Sequence, residues 1–175
     1  MPTYLQTQSL LGVDLNNTST TQLFALGTKV AGSNNTEWVY VQAATAVTAF
    51  KCVSINATFT CGMASVTDII GTSATSGQLG WAQNAFAASD FGWVPVRGGG
   101  LYVMMTGSST VAAGVVPVCA GGSAVSTGMC SMVATSTGTL QGITIVAQGS
   151  GGQTASATAA QAILSWPRYS PASAA

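Results

Sequence analysis

Side chains that could act as acids, bases or nucleophiles are scarce in this sequence of 175 residues. Hydroxyl nucleophiles are abundant, but each needs a nearby base to activate it, and neither lysine stands three residues after a serine. Glycoside hydrolysis needs a pair of carboxylates, whereas the acids here are scattered and are expected at turns or strand ends. We therefore predict no catalytic residues and no enzyme activity. Histidine is absent, and the charged residues are Lys29, Lys51, Arg97, Arg168, Asp14, Glu37, Asp68 and Asp90.

Sites for metals, cofactors and nucleic acid are not indicated either. No Cys-x-x-Cys occurs, and no loop carries the several carboxylates of a calcium or magnesium site. Arg97-Gly98-Gly99-Gly100 lacks the spacing of a phosphate-binding P-loop and is interpreted as a flexible hairpin turn. Basic residues balanced by acids cannot form the stripe that nucleic acid requires. The sequence predicts no cofactor, no metal and no nucleic-acid partner.

The four cysteines fall into two local pairs. A two-residue loop at Asn56-Ala57 would put Cys52 directly opposite Cys61 in a hairpin, and Cys119 and Cys130 flank a second turn. Cross-strand disulfides, buried reduced thiols and, least favoured, one four-thiolate metal site stay open as alternatives. A cytoplasmic location favours reduced thiols. We expect backbone adjacency in at least the first pair.

Most large aromatic side chains occur in apolar, strand-like segments. Trp38 and Tyr40 share one strand face by two-residue alternation, and Phe91 and Trp93 share a face of another strand. Aromatic side chains gathered on strand faces contribute much of the area that a core or an interface buries. We predict that the following residues anchor the core or a subunit interface and bind no ligand: Trp38, Tyr40, Trp81, Phe91, Trp93 and Trp166.

The distribution of apolar residues predicts an all-β fold. Few segments show the helical spacing of apolar residues, whereas short apolar or alternating runs recur between Gly, Ser and Asn clusters. We expect a compact β-barrel or β-sandwich of about eight to nine short strands. Pro95 and Pro117 each lie in a Val-Pro-Val and indicate edge strands or bulges, because proline donates no ladder hydrogen bond. The expected strands are 38–42, 52–55, 58–61, 79–83, 91–97, 101–105, 115–120, 142–148 and 162–166.

The chain is expected to be one β domain with extended ends. The N-terminal stretch is polar apart from Leu10-Leu11 and looks like an arm that is ordered only against a neighbour. Two cysteines followed by Leu-Gly-Trp-Ala-Gln in one half, and by Leu-Gln-Gly in the other, suggest an internal duplication as an alternative. The expected ranges are 1–21 for the arm, 22–170 for the domain, 171–175 for a flexible tail, and 44–97 and 110–168 for the two related units.

Charge is unusually low for a chain of this length. Only 5% of the residues are charged and the net charge is zero, whereas about a quarter of an ordinary domain is charged. The apolar stretch 111–119 is too short for a membrane helix, which needs about 20 residues, and the N-terminus lacks a leader pattern. We expect synthesis in a cytoplasm, no membrane partner, and a neutral surface that ends up against neighbouring proteins.

Three segments in this order resemble small structural proteins of tailed bacteriophages that decorate the head: residues 36–43, 90–98 and 163–168. The resemblance covers residues 22–170. It implies a β-rich virion protein on the exterior of the capsid that binds the major capsid protein and stabilises the shell as a cement protein. It also implies self-association, with a trimer most typical. The scarcity of acids and the cysteine pairs depart from the family pattern.

Two other classes stay open as alternatives. A phage tail or fibre subunit would share the same composition and the same lack of an active site. A carbohydrate- or ice-binding β domain is suggested by the threonine-rich runs at residues 18–21 and 135–139, although these runs lack a regular repeat.

Overall fold

The computed structural model describes residues 12–64, 78–106, 118–119, 130–131, 138–148 and 157–171, with side chains over 12–64, 78–105, 142–146 and 159–165. The prediction of an all-β protein is confirmed, with a mixed sheet that curls into a half-barrel. Within these residues no helix is long and apolar enough to span a membrane. The strands are β1 (Thr18–Ser19), β2 (Lys29–Ala31), β3 (Glu37–Ala43), β4 (Cys52–Ile55), β5 (Thr60–Met63), β6 (Gln78–Trp81), β7 (Phe91–Thr106), β8 (Val118–Cys119), β9 (Cys130–Ser131), β10 (Gly138–Gln148) and β11 (Ala157–Pro171).

The glycine run after Arg97 is a bend inside one long strand, so the predicted hairpin turn is wrong. Gly98 and Gly100 have φ values of +110° and +72°, which glycine adopts without a steric penalty. A Cβ atom at Gly98 would lie 2.4 Å from the Cα of Thr36, so the close approach of the two chains also requires glycine. β7 pairs antiparallel with β3 up to Arg97 and with β11 from Arg97 onward, so the two ladders overlap at the residue that precedes the glycines.

Strand pairing repeats the same order twice along the chain. In the first half β3 pairs parallel with β5, which pairs antiparallel with β4, which pairs antiparallel with β6. In the second half β7, β9, β8 and β10 pair in the same order and directions. The next strand then returns to the first one, β7 to β3 and β11 to β7, in antiparallel ladders. We call β3–β7 the first ring and β7–β11 the second ring.

The rings differ in how they close. The second ring closes through the β10–β11 ladder, whereas in the first ring β6 packs against β7 without a ladder among the described residues. The repeated pairing order begins at β3 in the first ring and at β7 in the second. The repeated order agrees with an internal duplication, which itself stays a prediction.

Two buried clusters lie on opposite faces of the sheet. Alternation separates Trp38 and Tyr40 from Val39 and Val41 on β3, and it separates Cys52 from Val53 on β4. Burial of both faces fits a chain that is 47% hydrophobic. The larger cluster contains Leu15, Val30, Trp38, Tyr40, Cys52, Ala64, Leu79, Trp81, Trp93, Leu101, Val103, Met105, Ile143, Ile145, Ala160, Ala162 and Leu164. The smaller cluster contains Val39, Val41, Ala43, Val47, Val53, Ile55, Cys61, Ala82, Phe86, Val94 and Val96.

Pro95 lies beside an irregularity, as its missing N–H predicted. Opposite β3, the register jumps from Trp38–Pro95 to Glu37–Arg97, so Val96 is the extra residue of a β-bulge. A bulge interrupts the ladder where proline cannot donate. Pro117 lies outside the described residues.

Part of the expected N-terminal arm belongs to the domain. Leu15 is 1% exposed and packs in the larger cluster. Thr18 and Ser19 form β1 and pair with Gly92 and Phe91. A single buried leucine and a two-residue strand give no periodic signal, so the sequence pattern does not mark residues 12–21 as part of the domain. Residues 1–11 lie outside the described residues. Of the expected tail at 171–175, Pro171 belongs to β11, where it pairs with Gly138, and residues 172–175 lie outside the described residues.

Candidate functional site

The first cysteine pair is not aligned across its hairpin. Cys61 pairs with Ile55, and the carbonyl of Cys52 accepts a hydrogen bond of 2.9 Å from the N–H of Ala64. The predicted register is therefore wrong by three residues. The loop is wider than two residues because the side-chain oxygen of Asn56 accepts hydrogen bonds from the N–H groups of Thr58 and Thr60, at 3.0 and 2.9 Å.

This register places Cys52 and Cys61 on opposite faces of the sheet. Both are buried free thiols, and they belong to different clusters. A disulfide needs Cβ atoms that point toward each other, so these two cysteines cannot be joined. Burial raises the pKa of the Cys61 thiol to about 12, which keeps it protonated and chemically inert.

The second cysteine pair is adjacent in the backbone. β8 and β9 are antiparallel, and Cys119 is the direct register partner of Cys130. Their side chains lie outside the described part. Cys130 also pairs with Met105 of β7, just as Cys61 pairs with Ala43 of β3. Cys61 and Cys130 therefore occupy equivalent positions in the two rings, whereas Cys119 matches Ile55 and not Cys52.

The described carboxylates stabilise local structure. Asp14 accepts a hydrogen bond of 2.9 Å from the N–H of Asn16, and Asp90 accepts one of 3.0 Å from the N–H of Ala87. Glu37 forms an ion pair of 2.9 Å with Lys29 across β2 and β3. Asp68 lies outside the described residues. Over the described residues no group of three or more His, Cys, Asp or Glu side chains could hold a metal ion.

The predicted aromatic residues lie largely in the core. Trp38, Tyr40, Trp81 and Trp93 are at most 2% exposed, Phe91 is half-buried, and the side chain of Trp166 lies outside the described part. The indole N–H of Trp38 donates to the hydroxyl of Thr36 at 2.9 Å. The indole N–H of Trp81 is buried and has no hydrogen-bond partner among the described residues.

An aromatic cluster forms the floor of a surface pocket of about 420 Å³. The ring of Phe24 lies 5.3 Å from the rings of Tyr40 and Trp93, and Phe91 stacks on Tyr40 at 6.3 Å. These distances suit edge-to-face and offset stacking. Phe24 was not among the predicted residues because it follows Gln22-Leu23 in a segment without strand-like alternation.

The rim of this aromatic pocket is mixed. Gly12, Val13 and Asp14 line one part of it, and Leu23, which is 61% exposed, lines another. The hydroxyl of Tyr40 accepts a hydrogen bond of 3.0 Å from the N–H of Leu23, which ties the rim to the floor. A nucleophile paired with a base is not present among the lining residues. The aromatic floor suits binding of an apolar group.

Comparison of the chain with protein-family models, with curated proteins and with solved structures gave no match.

Proposed function

We propose that the protein is a virion structural protein that binds the exterior of a phage capsid and stabilises it. Its partners are the major capsid protein and further copies of itself, most simply as a trimer. It acts by packing against its neighbours and performs no catalysis. The resemblance of residues 36–43, 90–98 and 163–168 to head decoration proteins suggests this role.

The observation that carries the proposal is the neutral surface on a sheet whose faces are both buried. Asp14 and Asp90 hold turns, and Lys29 is paired with Glu37, so these charges are already engaged within the chain. Molecules with zero net charge repel one another only weakly, so copies can pack side by side on a lattice at little electrostatic cost. Many weak contacts on a lattice then add up to stable attachment.

The proposal is tested by adding purified protein back to capsids that have been stripped of it. We expect saturable binding, exterior density in a virion reconstruction, and a higher melting temperature of the decorated shell. Binding should change little between about 0.05 and 0.5 M salt, because screening weakens only charged contacts. Stripped and decorated shells that melt alike, without exterior density, would refute the role.

Two alternative functions predict different results from experiments on the virion and the purified protein. Density on the tail or fibre in place of the head would assign the protein to the tail. The aromatic pocket with Asp14 on its rim favours a carbohydrate-binding domain, because sugars stack on aromatic rings and donate hydrogen bonds to carboxylates. Saturable binding to immobilised glycans, lost in Phe24→Ala and Asp14→Asn but kept in Lys51→Gln, would support that class.

A further inference from the structure

We propose that the aromatic pocket is occupied by Leu10 and Leu11 of the same chain. Gly12 and Val13 are themselves lining residues of the pocket, so the N-terminal segment joins the described chain at the rim. Consecutive Cα atoms are about 3.8 Å apart, which places the Cα of Leu10 within about 7.6 Å of Gly12. Both leucines therefore reach the pocket without a long tether.

The conformation of Gly12 allows the chain to turn into the pocket. Its φ value is +70°, a left-handed conformation that glycine adopts freely and that is common in tight turns. Among the described residues no atom lies within 4 Å of the position a Cβ would occupy there. Downstream, the buried Leu15 fixes the chain against the larger cluster.

The chemistry of the pocket matches an apolar pair. Its floor consists of aromatic rings, and the exposed Leu23 on its rim is covered by no described residue. The pocket is large enough for two leucine side chains. Residues 1–13 carry no charged side chain, so docking brings no unpaired charge near Asp14. Removing apolar area on both partners from water supplies the driving force.

The short connection between Leu11 and the rim favours occupancy of the pocket by the same chain over occupancy by a second copy. A segment attached directly at the rim has a high effective concentration in its own pocket. A segment from another copy must first pay for lost translational and rotational freedom. The inference does not rest on the capsid role, and either can fail without the other.

Disulfide trapping tests which chain supplies the segment. Leu11→Cys combined with Leu23→Cys should form an intrachain disulfide, seen by peptide mapping and as a monomer on non-reducing gels. The control is Thr3→Cys with Leu23→Cys, in which the new thiol is eight residues further from the rim, and it should link much more slowly. A disulfide-linked dimer would assign the pocket to a second copy, and equal linking in both variants would show no preference. Either result would overturn the proposal.

A second measurement tests occupancy without new cysteines. Leu10→Asn with Leu11→Asn should lower the Tm by about 5 °C or more and raise the binding of an apolar dye, because the pocket is vacated. Leu5→Asn is the matched control and should leave both unchanged. The effect should not depend on protein concentration. Unchanged Tm and dye binding in the double variant would show that the leucines lie elsewhere.

Discussion

The first ring joins β4 to β5 through residues 56–59, whereas the second ring joins β8 to β9 through residues 120–129. The short loop is held by hydrogen bonds to Asn56. In the second ring β11 forms long ladders with both β10 and β7. The same order of strand pairing is thus compatible with a tight hairpin in one ring and with extended ladders in the other. Pairing order, more than loop length, is what the two rings share.

Equivalent positions along β3 and β7 carry side chains of very different size. Counting back from the equivalent residues Ala43 and Met105 matches Tyr40 with Tyr102 and Trp38 with Gly100. The first ring has a buried tryptophan where the second has a glycine with φ +72°. The tryptophan stabilises by burial, and the glycine permits the bend that lets β7 serve both rings.

Of the substitutions considered, Trp38→Ala in the first ring should lower the free energy of unfolding most. The side chain is 0% exposed, and truncating a buried tryptophan costs about 3–5 kcal/mol through lost burial and the cavity left behind. Unfolding in urea measures the loss. Gly100→Ala, at the matched position of the second ring, should cost only about 1–2 kcal/mol from left-handed strain. Equal losses at the two positions would show that the rings are not stabilised differently.

Mild oxidation should distinguish the cysteine pairs of the two rings. Directly opposed residues of an antiparallel pair have Cα atoms about 4.5–5.5 Å apart, within the range of a disulfide. Cys119 and Cys130 are such a pair, and their closure is expected to stabilise by about 2–4 kcal/mol. Peptide mapping after oxidation should find this disulfide and leave Cys52 and Cys61 as thiols. A Cys52–Cys61 disulfide would contradict the register of β4 and β5.

Gln83→Ala should destabilise the packing of the first ring against β7, the strand that both rings share. The side-chain amide of Gln83 donates to the carbonyl of Tyr102 at 3.0 Å and accepts from its N–H at 2.9 Å, so it replaces a strand at that edge of β7. Nearby, the carbonyl of Phe50 accepts from the N–H of Met104. Leaving the Tyr102 groups unpaired costs about 1–3 kcal/mol. Asn84→Ala is the control. An equal loss of stability in that variant would show that the hydrogen bonds of Gln83 to Tyr102 do not stabilise the fold.

The sequence was sufficient for the parts of the fold that depend on alternation. The all-β class, strand β3 and the bulge at Pro95 follow from side-chain periodicity and from the missing N–H of proline. The continuity of β7 through Gly98–Gly100 was not predictable, because glycine runs signal turns unless a close neighbour such as Thr36 requires them. The pairing order depends on contacts between distant segments, which no local pattern encodes.

The candidate site was harder to predict than the core. Tyr40 and Trp93 were recognised from alternation, but Phe24 and the rim at Gly12 reach the pocket through irregular chain. The cysteine register failed because Asn56 builds a wider loop than its sequence suggested: three hydrogen bonds to one side-chain oxygen stabilise it. Side-chain bonding of this kind acts within the loop and leaves no trace in hydrophobic periodicity.

The smallest expected effect concerns Cys61 and alkaline pH. Burial raises its pKa from 9.0 to about 12, so between these values the folded chain keeps a proton that the unfolded chain has lost. The unfolded state then binds fewer protons, and the free energy of unfolding falls as pH rises. The contribution is complete below pH 9 and should have lost about 1.4 kcal/mol by pH 10.

Urea midpoints measured from pH 7 to pH 10 test this dependence. Cys61→Ala is the matched variant: it removes the thiol and should flatten the alkaline decline, whatever its effect on stability at pH 7. Comparing slopes, and not midpoints, separates titration from the small cavity that the substitution leaves. If wild type and Cys61→Ala lose stability equally above pH 9, the thiol is not the titrating group. The smaller cluster would then admit more water around Cys61 than its 1% exposure indicates.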